Sequence, residues 1–192
     1  MIDPPPQPAG LIVEAGTFAE LQQAPVPLDR IEIVVETVVN APPTEVYALW
    51  TSPTGVTKFF APKAEIDARA GGDYTIIFAP DHDPDGRSYG TKGARILRLD
   101  PPHALSFEWI PFTADAQIPG VSGPPAIPAA ERNAAPLPTW VEITFDPVGD
   151  GSRTRIRLAH YGFRHGGKWD ESYAFFQRAW TGVLNHLAAL YE

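Results

Sequence analysis

From about Trp169 to Tyr191 the chain contains no proline, and Trp169, Tyr173, Phe176, Trp180, Val183, Leu184, Leu187 and Leu190 recur at helical spacing. A helix of that length runs roughly 35 Å at about 1.5 Å per residue, long enough to cross a whole sheet. A stripe that long and apolar must be buried against something of equal extent. The rest of the chain offers mainly strands, so the economical packing is a curved sheet gripping one long helix.

The strands are read from their alternation. Ile31 to Asn40 is β-branched and partly alternating. Tyr74, Ile76 and Phe78 alternate with Asp73, Thr75 and Ile77. A further strand is expected at about Gly90–Leu99, with Leu97 and Leu99 on one face. Leu105, Phe107 and Trp109 alternate with Ser106 and Glu108. Val141, Ile143 and Phe145 do so with Glu142, Thr144 and Asp146, and Ile156, Leu158 and His160 with Arg155, Arg157 and Ala159. Such alternation means an antiparallel sheet with one covered and one wet face. Between the first strand and the rest, Pro42-Pro43 opens a helix whose Val46, Leu49 and Trp50 share a face, and Ser52-Pro53 caps and starts a second short helix.

Proline also divides the chain. Of its 22 prolines, six fall in residues 1–30 and seven in 111–138. Residues 1–30 read as an arm, partly packed through Leu11, Ile12, Val13 and Phe18; residues 111–138 read as an irregular, linker-like surface insertion. One domain over 31–192 remains, within the size a single core supports. A net charge of −8 argues against nucleic acid or an anionic membrane as partner. No apolar run approaches a membrane span, and the first ten residues do not read as a signal peptide. With no cysteine there is no thiol, disulfide or cysteine-metal chemistry, which fits a cytoplasmic protein.

The order of elements, with its local motifs, resembles the helix-grip superfamily of START lipid-transfer domains, polyketide cyclases and the major birch-pollen allergen. Within it the chain resembles the group of activator of heat-shock-protein-90 ATPase homologues. The residues that carry this are Ala41-Pro42-Pro43 with Val46 and Trp50, Ser52-Pro53, Gly71-Gly72-Asp73-Tyr74, Asp100 to Phe107, Thr154 to His160, and Trp180, Leu184, Leu187 and Leu190. The resemblance spans about residues 31–192. It implies an α+β helix-grip fold, a curved antiparallel sheet around a long C-terminal helix with two short helices after strand one, and an internal apolar pocket. The co-chaperones of the group carry a separate N-terminal chaperone-binding domain, which the 30 residues ahead of strand one are not expected to form.

His160 is the sharpest candidate for chemistry. Its parity turns it towards the helix, where an imidazole can bond a ligand, act as acid or base, or serve the structure through a neighbouring side chain. Phe60, Phe78, Phe107, Trp109 and Phe176 are expected to line a hollow between sheet and helix, with Tyr74, Tyr89 and Tyr173 supplying hydroxyls. Asp81-His82-Asp83-Pro84-Asp85-Gly86 matches the first half of a calcium loop, but Lys92 stands where a bidentate glutamate is needed, so an exposed hairpin tip is the better reading. His160 and His165 lack a third ligand, and no metal or cofactor is expected. No phosphate loop, dinucleotide fingerprint or nucleophile elbow is present.

The first expectation is therefore a binding module for a small hydrophobic or aromatic molecule. A polyketide-cyclase- or hydrolase-like enzyme using His160 in the same cavity is the alternative. It is the weaker one, because Glu108 and Glu142 alternate outward and leave the histidine without a carboxylate. A chaperone-modulating interaction protein is the third reading. Ligand identity and oligomeric state are not legible.

Overall fold

A computed structural model describes residues 31–109, 127 and 139–192 of the chain. The arm at 1–30 and the insertion at 111–138, apart from Ile127, lie outside the described residues.

The elements follow in the order β1 (Ile31–Val39), α1 (Pro43–Thr51), α2 (Pro53–Val56), β2 (Lys63–Ile66), β3 (Tyr74–Ile77), β4 (Ile96–Asp100), β5 (Ala104–Trp109), β6 (Thr139–Val148), β7 (Arg153–Phe163) and α3 (Lys168–Ala189). Five strands form an antiparallel sheet in the order β1-β7-β6-β5-β4. The β2-β3 hairpin extends it through isolated bridges at Asp73–Arg95 and Ile77–Gly90. The helix starts follow the expected chemistry: Pro43 takes the first position of α1, and the Ser52 hydroxyl accepts from the Gly55 amide at 3.1 Å to cap α2.

Pairing sets the concave face. Ile33, His160, Val141, Phe107 and Ile96 stand opposite one another across all five strands. α3 lies against that face with Trp169, Ser172, Phe176, Trp180, Leu184 and Leu187 buried, a spacing of three or four residues throughout. Tyr173 and Val183 are half-buried, and Leu190 is 43% exposed, so the stripe ends one turn earlier than its sequence suggests. No helix among the described residues is long and apolar enough to cross a membrane.

Two bulges change the parity read from sequence. In β4 the register shifts between Ile96 and Arg98, so Ile96 and Leu99, rather than Leu97 and Leu99, share the face of their partners Phe107 and Leu105. The part of that expected strand before Ile96 is not a regular strand; it meets the β2-β3 hairpin through isolated bridges and single hydrogen bonds such as Thr91 N–H to the Ile76 carbonyl at 2.9 Å, and Gly90 passes so close to that carbonyl that no side chain fits there. In β7 a bulge sets two residues, Tyr161 and Gly162, against the single residue of β1 between Ile31 and Ile33, which pair with Phe163 and His160. Gly162 absorbs the extra residue at φ +93°, and a Cβ there would stand 3.0 Å from the Thr139 Cα. Phe163 is thereby turned to the same side as His160.

Ile127 corrects the linker reading of the 111–138 insertion at one point. It is 1% exposed and belongs to the hydrophobic core. A solitary isoleucine among prolines and alanines carries no periodicity, so the sequence gives no sign of its burial. Ile127→Ala is expected to cost about 2–5 kcal/mol in a urea titration, where a surface linker position would stay within about 0.5 kcal/mol.

Candidate functional site

The concave face is lined by rings between sheet and helix. Trp109, at the end of β5, meets Trp180 at 5.0 Å between centroids, Phe176 at 5.6 Å and His160 at 5.8 Å, in edge-to-face contacts. His160 also meets Phe163 at 4.6 Å and Phe176 at 5.1 Å. Outward from this group, Phe60 lies 5.4 Å from Trp180, 6.3 Å from Trp109 and 5.7 Å from Phe78. Phe60 and Phe78 are both half-buried, whereas Trp109, Trp180 and His160 are enclosed. The ring contacts thus run from a partly exposed rim to a dry interior.

At the interior end, His160 is held by both ring nitrogens. The Trp180 indole N–H donates to Nδ1 at 3.0 Å, and Nε2 lies 3.0 Å from the Thr139 hydroxyl. That hydroxyl donates in turn to the Trp109 carbonyl at 2.8 Å. An indole can only donate, so Nδ1 must accept and the imidazole proton sits on Nε2. The chain of bonds therefore has one direction: Trp180, His160, Thr139, Trp109 carbonyl. Full burial pushes the His160 pKa down from 6.5 to about 3, so the ring is neutral. Its hydrogen-bonding capacity is used within the protein.

The other expected site residues divide by what they touch. Phe60, Phe78, Phe107, Trp109, Phe176 and His160 are joined by ring contacts. Tyr74 stacks on Phe107 at 4.1 Å, but its hydroxyl donates to the Trp50 carbonyl at 2.8 Å, and burial raises its pKa beyond the ordinary phenol range. It is a strut between β3 and the end of α1. Tyr173 packs its half-buried ring on Phe163 at 5.6 Å, with its hydroxyl 3.5 Å from the Glu32 carbonyl. Tyr89 is buried, and its carbonyl accepts from the Phe78 amide at 3.0 Å, so it flanks the rim.

Thr139, Trp180 and Phe163 complete the site, and the sequence reading did not include them. Thr139 follows a proline-rich run and has no alternating partner before it. Phe163 has the wrong parity until the glycine bulge is known. Trp180 stood out as core, with nothing to mark its N–H.

The acidic turn is structural at its centre. The Asp83 carboxylate accepts from the amides of Arg87, Ser88 and Tyr89 at 3.1, 2.8 and 2.6 Å, while Asp81 and Asp85 are exposed. Among the described residues no group of three or more histidine, cysteine, aspartate or glutamate side chains is placed to hold a metal ion. Glu108 accepts from the Arg95 amide, and Glu142 lies 3.8 Å from Arg98; both stand on the face opposite Phe107 and Val141.

A sheet curled about one long C-terminal helix, with two short helices after its first strand, defines a helix-grip domain. Solved structures of similar fold bear this out. A protein from Mesorhizobium loti, MLL2253, has a TM-score of 0.59 at 19% identity, covering 83% of this chain and 96% of its own. The Aha1 dimer from Colwellia psychrerythraea has 0.58 at 14%, covering 84% and 96%. An AHSA1-like protein from Rhizobium etli, RHE_CH02687, has 0.53 at 23%, covering 83% and 81%. Residues 40–192 match the model of the Activator of Hsp90 ATPase homolog 1-like protein family, and the chain belongs to that family. No curated protein sequence matches it.

The neutral histidine has a measurable signature. Below the unfolded pKa of 6.5 the unfolded chain takes up a proton that the folded ring refuses down to about 3, so stability is full above pH 6.5 and falls through that window. Between pH 7.5 and pH 5 this contribution amounts to about 2 kcal/mol. Urea unfolding at the two pH values is expected to show that loss in the native chain, and His160→Gln is expected to lack it.

Proposed function

We propose that this chain is a binding module for a small apolar, ring-containing molecule, held between the concave face of the sheet and α3. The observation that carries the reading is the continuous set of ring contacts from the half-buried Phe60 and Phe78 to the enclosed Trp109, Trp180 and Phe176. Binding is driven by desolvation of ligand and rings, the usual source of affinity in pockets of this composition. Tyr89, Tyr173 and Phe107 belong to the surroundings of that site and Tyr74 to its frame. A cytoplasmic setting belongs to the same proposal, and neither nucleic acid nor membrane insertion has a part in it.

Turnover of the polyketide-cyclase or hydrolase kind is the less favoured alternative. An acid or base needs a free nitrogen with a pKa near the working pH. His160 has both nitrogens engaged and a pKa of about 3. A chaperone-modulating role rests on the family description alone.

Titration with N-phenyl-1-naphthylamine, a neutral apolar fluorophore, is expected to give micromolar binding, near about −8 kcal/mol, unchanged by a metal chelator. A folded chain that gives no fluorescence increase with this probe overturns the reading.

A further inference from the structure

Among the described residues, two buried indole N–H groups of the core stand without an acceptor, while that of Trp180 has one. Trp180 donates to His160. The Nε1 atoms of Trp50 and Trp109 are buried and have no hydrogen-bond partner among the described residues. A buried donor without an acceptor gives up its hydration with nothing in return, so each such group calls for an explanation. The two orphans share one neighbour: the half-buried ring of Phe60 lies 5.8 Å from Trp50 and 6.3 Å from Trp109. The remaining buried groups without partners, on Tyr47, Thr75 and Ser106, are hydroxyls outside these ring contacts.

We propose that Trp109 and Trp50, whose rings both lie against Phe60, form the polar subsite of the pocket, and that it selects a neutral aromatic ligand bearing an acceptor oxygen such as a carbonyl. This rests on the ligand-binding reading above. The chemistry follows from the donors. An indole N–H can only donate, which requires an acceptor on the ligand. The rings around it carry no cation to compensate an anion, so a carboxylate entering here would lose its hydration without a counter-charge. A carbonyl meets both conditions. His160 is spent on Thr139 and Trp180, so the indoles take the orienting role that its position first suggests for the imidazole.

The test uses three probes of similar shape: 2-acetylnaphthalene, 2-ethylnaphthalene and 2-naphthoate. Each is titrated into the native chain, Trp109→Phe and Trp50→Phe. The ketone-to-hydrocarbon affinity ratio is expected to fall about 5- to 10-fold in Trp109→Phe, the worth of one hydrogen bond; the ratio compares two probes in one variant, so the loss of indole ring contact common to both cancels. The naphthoate is expected to bind most weakly of the three. In the native chain, the Trp109 indole N–H proton resonance is expected to move downfield with the ketone and not with the hydrocarbon. That measurement decides the matter if the variants do not fold. An unchanged ratio in both variants, or a native indole resonance indifferent to the carbonyl, overturns the subsite while leaving the pocket standing. Failure of both the ketone and the hydrocarbon to bind the native chain overturns the pocket itself.

Discussion

The hydrogen-bond chain from Trp180 through His160 and Thr139 to the Trp109 carbonyl is the constraint on which the interior depends. Side-chain packing alone lets a long helix slide or roll on a curved sheet, because apolar contact is not directional. A buried indole, imidazole and hydroxyl joined in sequence permit one position of α3 along β7. The same bonds bring the end of β5 to the start of β6, so the residues that leave and re-enter the sheet around the insertion are pinned from the centre of the helix. Every polar atom on this path is satisfied, the condition under which a buried polar network stiffens a core and does not weaken it.

Much of this was legible in the chain. Alternation located the strands β1, β3, β5, β6 and β7, proline and serine marked the starts of α1 and α2, and the proline-free amphipathic stretch predicted α3. Parity also turned His160 inward and Glu108 and Glu142 outward. What was hidden has physical causes. Parity survives only until a strand gains a residue, and bulges in β4 and at Gly162 reassign Leu97 and Phe163. Four-residue β2 is too short to show a period. Ile127 is buried by tertiary contact with no local pattern to announce it.

The site was legible as a set of residue types and not as a set of roles. Tyrosines at 74 and 173 look like ligand-orienting hydroxyls, yet the Tyr74 hydroxyl bonds the Trp50 carbonyl and that of Tyr173 lies by the Glu32 carbonyl. A histidine on an apolar face looks like an acid or base until its two neighbours are known. Whether a polar atom is available or already committed depends on partners far apart in sequence: 20 residues separate His160 from Trp180, and 21 separate it from Thr139. Composition cannot report that.

Gly162 shows how little tolerance this arrangement has. Its backbone lies so close to the Cα of Thr139 that the residue whose hydroxyl meets His160 is set directly beside a glycine, with no side chain between the two strands to act as a cushion. Drift in sequence at that position has almost nowhere to go, since any side chain both resists the local dihedral and wedges the strands apart. A family member that replaced this glycine would need to rebuild the turn of β7, and with it the facing of Phe163 and the seat of the histidine. The smallest residue in the strand therefore sets how far the largest rings around it are free to diverge.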